Sequence, residues 1–267
     1  MVARLCIEGT DIEVSRLGFG TGSLHHVFSG RKRQSLLGAA QYEGVTHFDT
    51  APYYGYGLAE CDLGKHLRKK RAQVTISTKV GLYTYGPASR RITSVLFRKG
   101  VGMIIRRVAA PLVDLQVKRA EESLKESLCR LRTDYVDFLF LHEPDLSSLL
   151  AEETLTWLER EKQRGRIRAW GVAGLSGSII PLLFQGHPLA SVVQTKDSLD
   201  IRQADFLANF ERNMQFTYGY LSGDHSTYVS AEPAITIRQA LKRNATGCLL
   251  VSTRSVGHLQ RLVSAVR

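Results

Sequence analysis

The chain has 267 residues, 43% of them hydrophobic and 23% charged, a balance that excludes an intrinsically disordered protein. This length suffices for one large core, so we expect a single domain over residues 1–267. The 36 Lys and Arg against 25 Asp and Glu give a formal net charge of +11, which alone does not distinguish solvated faces from a surface for nucleic acid, acidic lipid or a phosphorylated ligand.

The N-terminal stretch carries acidic residues where a secretion signal would need an unbroken apolar run. The most apolar window, Val101 to Val113, is interrupted by Arg106 and Arg107 and is too short to span a bilayer. The cysteines are far apart and include no Cys-x-x-Cys pair, which argues against a zinc ribbon or a disulfide framework. They are Cys6, Cys61, Cys129 and Cys248. We therefore expect a cytoplasmic protein with reduced thiols.

Eight short strand-like runs alternate with helical patterns along the chain. They are Leu17 to Thr21, Val45 to Asp49, Val74 to Lys79, Val136 to His142, Ala169 to Val172, Ser191 to Thr195, Gln215 to Gly219 and Cys248 to Thr253. Several are almost continuously apolar, which is typical of strands buried on both faces of a parallel sheet. Alternation repeated eight times predicts a closed (β/α)8 barrel of the TIM type rather than an open doubly wound sheet.

Helical spacing of apolar residues is clearest in three of the intervening segments. The segments are Arg33 to Glu43, Leu58 to Arg68 and Val117 to Arg130. In the third, Ala120, Leu124 and Leu128 recur at i, i+4 and i+8, so one face of the helix is apolar. Gly44 ends the first segment, as glycine commonly does after a helix.

An elaborated basic loop interrupts the alternation of strands and helices after the third strand. Its cations are Arg90, Arg91, Arg98, Lys99, Arg106 and Arg107. Because it leaves the rim that carries strand ends, residues 83–113 could fold over the cavity as a lid. A solvated insertion is the alternative. Binding of nucleic acid or an anionic membrane is a third, although no recognised motif or interleaving of aromatic and basic residues supports it.

Chemically active side chains fall at the ends of consecutive predicted strands. Asp49 ends the second strand and Tyr54 follows it, Lys79 ends the third, and His142 ends the fourth. Active sites of β/α barrels lie at these strand ends, so the four side chains are expected on one rim. A nearby lysine would lower the pKa of the tyrosine, a buried aspartate would keep the lysine charged, and the histidine would polarise a substrate oxygen. Singly, each residue has an ordinary structural explanation, whereas the set favours acid–base catalysis.

These residues and their surroundings resemble the aldo-keto reductase family. The matching stretches are Leu17-Gly18-Phe19-Gly20-Thr21-Gly22, Phe48-Asp49-Thr50-Ala51 with Tyr54-Gly55, Glu60 with Leu63-Gly64, Thr78-Lys79-Val80-Gly81, Ser123-Leu124 through Leu131, Asp134-Tyr135-Val136-Asp137 and Leu141-His142. The resemblance covers residues 15–180 well and the remainder weakly. It implies hydride transfer between a nicotinamide and a small aldehyde, ketone or sugar without a metal. In that chemistry Tyr54 is the general acid or base, Asp49 and Lys79 tune it, and His142 aligns the carbonyl.

The resemblance also implies a cofactor site at the ends of the later strands. Gln194 matches a glutamine that contacts the nicotinamide carboxamide, and Tyr218 matches the aromatic residue on which the ring stacks. The last strand and the helix after it match the site of the adenosine 2′-phosphate, which favours NADP(H) while NAD(H) stays possible. The expected cofactor-binding residues are Thr21, Gly22, Asp49, Ala173, Gly174, Gln194, Tyr218, Gly219, Leu221, Ser252, Thr253, Arg254 and His258.

Two departures from the family pattern bear on function. After the fifth strand the chain reads Gly171-Val172-Ala173-Gly174-Leu175 where the family usually has a Ser-Asn pair, and this form is similar to the sugar and aldose dehydrogenase branch. The connection from Gly219 to Cys248 is short, so we expect a shortened C-terminal region and an open, permissive substrate site. The alternative is a barrel that binds NADP(H) as a sensor or subunit without turnover, and the complete set of four catalytic residues counts against it.

Overall fold

The computed structural model describes residues 2–84, 93–94, 111–221 and 232–266. In chain order its strands are β1 (Arg4–Cys6), β2 (Glu13–Ser15), β3 (Leu17–Gly20), β4 (His47–Asp49), β5 (Thr75–Val80), β6 (Leu82–Tyr83), β7 (Leu112–Val113), β8 (Val136–His142), β9 (Ile167–Gly174), β10 (Val192–Lys196), β11 (Phe216–Tyr218) and β12 (Cys248–Val251).

Eight parallel strands, β3, β4, β5, β8, β9, β10, β11 and β12, close into a barrel in this order. The barrel closes where β12 pairs with β3, with Leu249 opposite Leu17. Each of the eight strands overlaps one of the runs expected from the sequence, with ends that differ by up to two residues, so the predicted TIM-type barrel is confirmed.

Helices cover the outside of the barrel. They are α1 (Gly30–Tyr42), α2 (Leu58–Leu67), α3 (Val117–Leu131), α4 (Ala151–Gln163), α5 (Ser176–Phe184), α6 (Pro233–Arg243) and α7 (Val256–Ser264). Their apolar faces pack on the outward side chains of the strands in one large buried cluster that includes Leu36, Leu63, Leu124 and Trp157. Helix α1 begins at Gly30, three residues before the predicted start at Arg33, because Ser29 caps it by accepting from the Lys32 amide.

The N-terminal hairpin of β1 and β2 was not predicted. Each strand has three residues, too few for a period-two pattern to be recognised. Its neighbours Ile7 and Ile12 are buried in the same cluster as the aromatic residues Phe138, Phe140 and Phe216 inside the barrel. The hairpin therefore belongs to the packing of the barrel interior, and the cavity lies at the opposite, C-terminal ends of the strands.

A buried carboxylate links strand β5 to two helices. Glu60 on α2 is completely buried; it accepts a hydrogen bond from Thr78 Oγ1 at 2.7 Å and one from Arg130 Nε at 2.6 Å. Helices α2 and α3 approach closely here, since a Cβ on Gly64 would lie 2.4 Å from the carbonyl oxygen of Arg130. Glu60 thus fixes the outer face of β5, whose inner face carries Lys79.

The short strands β6 and β7 pair antiparallel, with Leu82 opposite Val113, and bring the two ends of the basic loop together. Residues 85–92 and 95–110 of that loop lie outside the described residues, as do 222–231 in the connection before β12. The two alternatives for residues 83–113, a solvated insertion and a lid, therefore both stay predictions. None of the helices in the described part of the chain is long and apolar enough to cross a membrane.

Candidate active site

The four predicted catalytic residues line one cavity of about 540 Å³ at the C-terminal ends of the barrel strands. Asp49 ends β4, Lys79 lies near the end of β5, and His142 ends β8. Tyr54 lies in the turn between β4 and α2. The structure therefore brings together side chains that are far apart in the sequence.

Lys79 and Asp49 form a buried ion pair. Lys79 Nζ donates to Asp49 Oδ1 at 2.7 Å, to Asp49 Oδ2 at 2.8 Å and to the carbonyl oxygen of Thr50 at 3.0 Å. Asp49 Oδ1 also accepts from Ser77 Oγ at 2.7 Å and from Gln194 Nε2 at 3.2 Å. Because the carboxylate and the ammonium are both paired, their charges largely cancel within the site.

A hydrogen-bonded network of polar side chains extends from this pair into the barrel interior. Ser77 has one proton and donates it to Asp49, so His47 Nε2, 3.3 Å from Ser77 Oγ, acts as a donor to Ser77. His47 Nδ1 is then the acceptor for Thr75 Oγ1 at 2.9 Å. Burial lowers the pKa of His47 to about 4, so this imidazole is neutral at pH 7. This network of side chains holds Asp49 in one orientation.

Tyr54 carries its proton at neutral pH. Its ring stands perpendicular to that of His142, with centroids 6.4 Å apart, and Lys79 Nζ lies 5.0 Å from the Tyr54 centroid. Burial and, second, the Asp49 carboxylate raise the pKa of Tyr54 well above its usual 10. The predicted lowering of this pKa by Lys79 is therefore wrong for this structure, because burial and the Asp49 carboxylate both raise it. Tyr54 is arranged as a proton donor.

His142 is uncharged at neutral pH. Burial and the nearby Lys79 ammonium lower its pKa to about 3. A neutral imidazole carries one N–H donor and one acceptor nitrogen, so it can hydrogen-bond a carbonyl oxygen without adding a second cation beside Lys79.

Eight of the residues expected to bind the cofactor line the cavity. They are Gly22, Asp49, Ala173, Gln194, Tyr218, Gly219, Leu221 and Ser252. Gln194 Oε1 is buried and accepts no hydrogen bond from any described residue, although Gln194 Nε2 donates to Asp49. An unpaired buried amide oxygen costs about 1–3 kcal/mol, and a ligand that donates an N–H to it would recover this cost. The cavity therefore fits a group such as the nicotinamide carboxamide.

Two further expected cofactor residues lie beside the cavity without lining it. The Thr21 hydroxyl donates to the carbonyl oxygen of Asp49 at 3.0 Å. Gly174 packs against Glu143, whose Oε2 would lie 2.7 Å from a Cβ at this position. Neither residue is part of the cavity surface, since the Thr21 hydroxyl bonds to the Asp49 backbone and Gly174 lies against the Glu143 side chain.

The start of α7 carries the remaining three expected residues. Ser255 caps the helix by accepting from the His258 amide at 3.4 Å, and Thr253 Oγ1 lies 3.1 Å from His258 Nδ1. Arg254 is exposed and makes no hydrogen bond or ion pair with any described residue. Helix N-termini attract anions, so this helix start with an uncommitted arginine is suited to a phosphate dianion.

The cavity is also lined by residues that the sequence reasoning did not single out. They include Ser23, His26, Lys196 and Tyr220. Lys196 had a signal that could have been used, because it lies two residues after Gln194 on the same strand and so faces the same side. Tyr220 is held in place by a hydrogen bond to the buried carboxylate of Asp197, which Arg243 Nε also contacts at 2.7 Å.

Comparison with known proteins connects this geometry to one family. Residues 16–196 match the model of the aldo/keto reductase family. The chain is 30% identical over 194 residues to L-galactose dehydrogenase of Arabidopsis thaliana, covering 70% of this chain and 53% of that protein. It is 31% identical over 173 residues to D-threo-aldose 1-dehydrogenase of Pseudomonas sp, covering 61% and 51%. The chain spans about half the length of these curated relatives.

Solved structures share the fold. An aldo-keto reductase from Klebsiella pneumoniae, determined in complex with NADPH, superposes with a TM-score of 0.69 at 19% sequence identity, covering 100% of this chain and 90% of that one. At this level of identity the likeness shows the barrel architecture alone.

Proposed function

The chain belongs to the aldo/keto reductase family, and from that membership we propose that it is an NADP(H)-dependent oxidoreductase that transfers a hydride between nicotinamide and a small aldehyde, ketone or sugar. The observation that carries this proposal is the buried Lys79–Asp49 pair beside a protonated Tyr54 and a neutral His142 in one cavity. This is the set of groups that carbonyl reduction requires, namely a proton donor, a carbonyl-orienting group and a fixed cation.

When bound, the reduced cofactor supplies the hydride. The residues of the chain supply the proton and the orientation of the substrate. His142 hydrogen-bonds the carbonyl oxygen, and Tyr54 Oη transfers its proton to that oxygen as negative charge develops there. Lys79 Nζ, which Asp49 keeps in position, lies 5.0 Å from the centroid of the Tyr54 ring, so a cation lies beside the phenolate that proton transfer leaves. In the oxidative direction the same groups act in reverse.

Three groups of residues would hold the cofactor. Gln194 Oε1 would accept from the carboxamide, the Tyr218 ring would stack on the nicotinamide, and Arg254 with the start of α7 would bind the 2′-phosphate. The 2′-phosphate contact favours NADP(H) over NAD(H).

A sugar or another small polar carbonyl compound is the proposed substrate class. Two curated relatives are named as dehydrogenases of L-galactose and of D-threo-aldoses. The chain also lacks the Ser-Asn pair at the end of β9, having Ala173 and Gly174 there, as in the sugar and aldose branch. All four thiols are free of disulfides, and we propose a reducing, cytoplasmic location on this basis.

The test is a panel of aldehydes, ketones and sugars with NADPH and NADP+, followed through the absorbance of reduced nicotinamide. We expect turnover in at least one direction, and its loss in Tyr54→Phe would assign the activity to this cavity. Binding of NADP(H) with no turnover of any compound would favour the non-catalytic sensor or subunit instead.

A further inference from the structure

Lys196 lies in the upper part of the cavity, on the same strand face as Gln194. It ends β10, two residues beyond Gln194, and both line the cavity. Because a parallel strand rises about 3.3 Å per residue, Lys196 projects roughly 6–7 Å nearer the cavity mouth than Gln194.

The charge of Lys196 is not compensated within the described part of the chain. Asp49 is the only acidic residue among the described residues that line the cavity, and Lys79 occupies both of its carboxylate oxygens. The side chain of Lys196 makes no hydrogen bond or ion pair with any described residue, and its backbone pairs with Tyr218 in the sheet. Among the described residues that line the cavity, Lys196 is therefore the cation without a paired anion.

The backbone beside Lys196 is shaped to accommodate its side chain. Gly219, the first residue after β11, has a φ of +107°. A Cβ at Gly219 would lie 3.0 Å from Lys196 Cγ and 3.1 Å from the carbonyl oxygen of Asp197. Only glycine adopts this backbone conformation readily and leaves room for the lysine. The stem of Lys196 thus lies against the loop that forms one wall of the cavity.

We propose that Lys196 binds a phosphate oxyanion in this cavity, and that this oxyanion is the pyrophosphate of the dinucleotide, an inference that rests on the proposed function. In a dinucleotide one ribose separates the nicotinamide from the pyrophosphate. With the carboxamide at Gln194, the pyrophosphate would lie one ribose away, a separation comparable to that between Gln194 and Lys196 along β10. Lysine binds phosphate as a point charge, so it needs no fixed donor geometry there. An anionic group on the substrate shares this chemistry, and the experiment separates the two sources.

The first measurement is the affinity for NADPH in the absence of substrate. Binding is detected through the fluorescence of bound NADPH. Lys196→Gln removes the charge, Lys196→Met removes it while keeping an apolar stem, and Lys196→Arg keeps it. Lys65→Gln is the matched control, because Lys65 is exposed on α2 and does not line the cavity. We expect Kd to rise about 10- to 100-fold in the Gln and Met variants, the range for a charge-assisted hydrogen bond, and to change little in Arg and in the control. The salt dependence of Kd should also become weaker when the charge is removed.

The second measurement is KM at saturating NADPH for a neutral aldehyde, butanal, and an anionic one, succinic semialdehyde. We expect Lys196→Gln to leave the ratio of the two KM values unchanged. A rise restricted to the anionic aldehyde, with NADPH affinity unchanged, would overturn the pyrophosphate assignment in favour of the substrate.

Binding of NADPH to the wild type and to the variants distinguishes a failure of the Lys196 assignment from a failure of the proposed function. If the wild-type chain binds NADPH and folded Lys196→Gln and Lys196→Met bind it equally well, only the assignment of Lys196 is overturned. If the wild-type chain binds neither NADPH nor NADH, both the proposed function and the assignment of Lys196 are overturned. Thermal unfolding of each variant shows that a loss of affinity does not come from a loss of fold.

Discussion

Lys79 and Asp49 hold each other through two hydrogen bonds of 2.7 and 2.8 Å, and their relative exposures are 2% and 3%. A buried ion pair is not itself a large source of stability, because both charges lose their hydration. Removal of one partner, however, leaves the other charge buried and uncompensated. The same two side chains therefore contribute both to the stability of the barrel and to the arrangement of the catalytic residues.

Lys79→Met should lower the free energy of unfolding by about 3–5 kcal/mol, the cost of breaking a buried pair. The double variant Asp49→Asn/Lys79→Met should recover most of this loss, since it leaves no uncompensated charge. Urea unfolding gives both values. Arg4→Gln is the matched control because it breaks the exposed pair with Glu13, and it should cost less than about 1 kcal/mol. A loss in Lys79→Met as small as in this control would contradict the expectation.

Tyr54→Phe removes the proton donor and keeps the ring that packs near His142. The rate of hydride transfer should fall by about 10²-fold or more, the usual contribution of general acid–base catalysis, while the Kd for NADPH changes little. Single-turnover kinetics separate this rate from product release. Turnover close to that of the wild type would exclude Tyr54 from the mechanism.

The pH dependence of carbonyl reduction should be flat between about pH 5 and pH 9. Reduction requires Tyr54 protonated and His142 neutral; the pKa of Tyr54 is well above 10 and that of His142 is about 3, so neither group titrates in this window. The measurement is kcat at saturating NADPH across the range. An inflection near pH 6.5 that disappears in His142→Gln would show that this histidine titrates normally.

Stability should fall as the pH is lowered from about 6.5 towards 4. The folded-state pKa values of His47 and His142 are lowered to about 4 and about 3, whereas in the unfolded chain both titrate near 6.5. The unfolded state therefore binds more protons in this window, and each histidine contributes a slope of up to about 1.4 kcal/mol per pH unit. Denaturant unfolding at several pH values measures the slope. His142→Gln should reduce it by one histidine's share, and an unchanged slope would argue against a neutral His142 in the fold.

Arg254→Ala should weaken NADP(H) by about 1.5–3 kcal/mol and leave NAD(H) nearly unchanged, because only NADP(H) carries the 2′-phosphate. Arg254 is exposed just before α7, and no described residue competes for its guanidinium. Arg261→Ala provides the matched control, since Arg261 is exposed in the last turn of the same helix. Equal losses for both cofactors would mean that Arg254 does not distinguish the phosphate.

The sequence predicted the barrel because its strands are apolar on both faces and end at polar residues. Val136 to Leu141 shows the first property and His142 the second. The same property predicted the convergence of Asp49, Lys79 and His142 on one cavity, since side chains at the ends of neighbouring parallel strands meet at one rim.

The electrostatics of the site could not be read from the sequence. The direction of the Tyr54 pKa shift depends on burial and on the pairing of Lys79 with Asp49, which are properties of three-dimensional packing. The sequence does not distinguish Lys196, because a lysine at a strand end ordinarily faces solvent, and only the cavity shows that no described lining residue pairs with its charge. The roles assigned to the cofactor residues, and the lid over residues 83–113, stay predictions.

The bond between Thr78 and Glu60 matters for any attempt to redesign the substrate range. Thr78 lies between Ser77 and Lys79, whose side chains both hydrogen-bond Asp49 on the inner face of β5. The Thr78 side chain points to the outer face, where its bond to Glu60 anchors the strand to α2 and α3. In a directed-evolution library, Thr78, Glu60 and Arg130 should tolerate few replacements although none of them touches a substrate. The loops around the cavity mouth can vary while these three are kept.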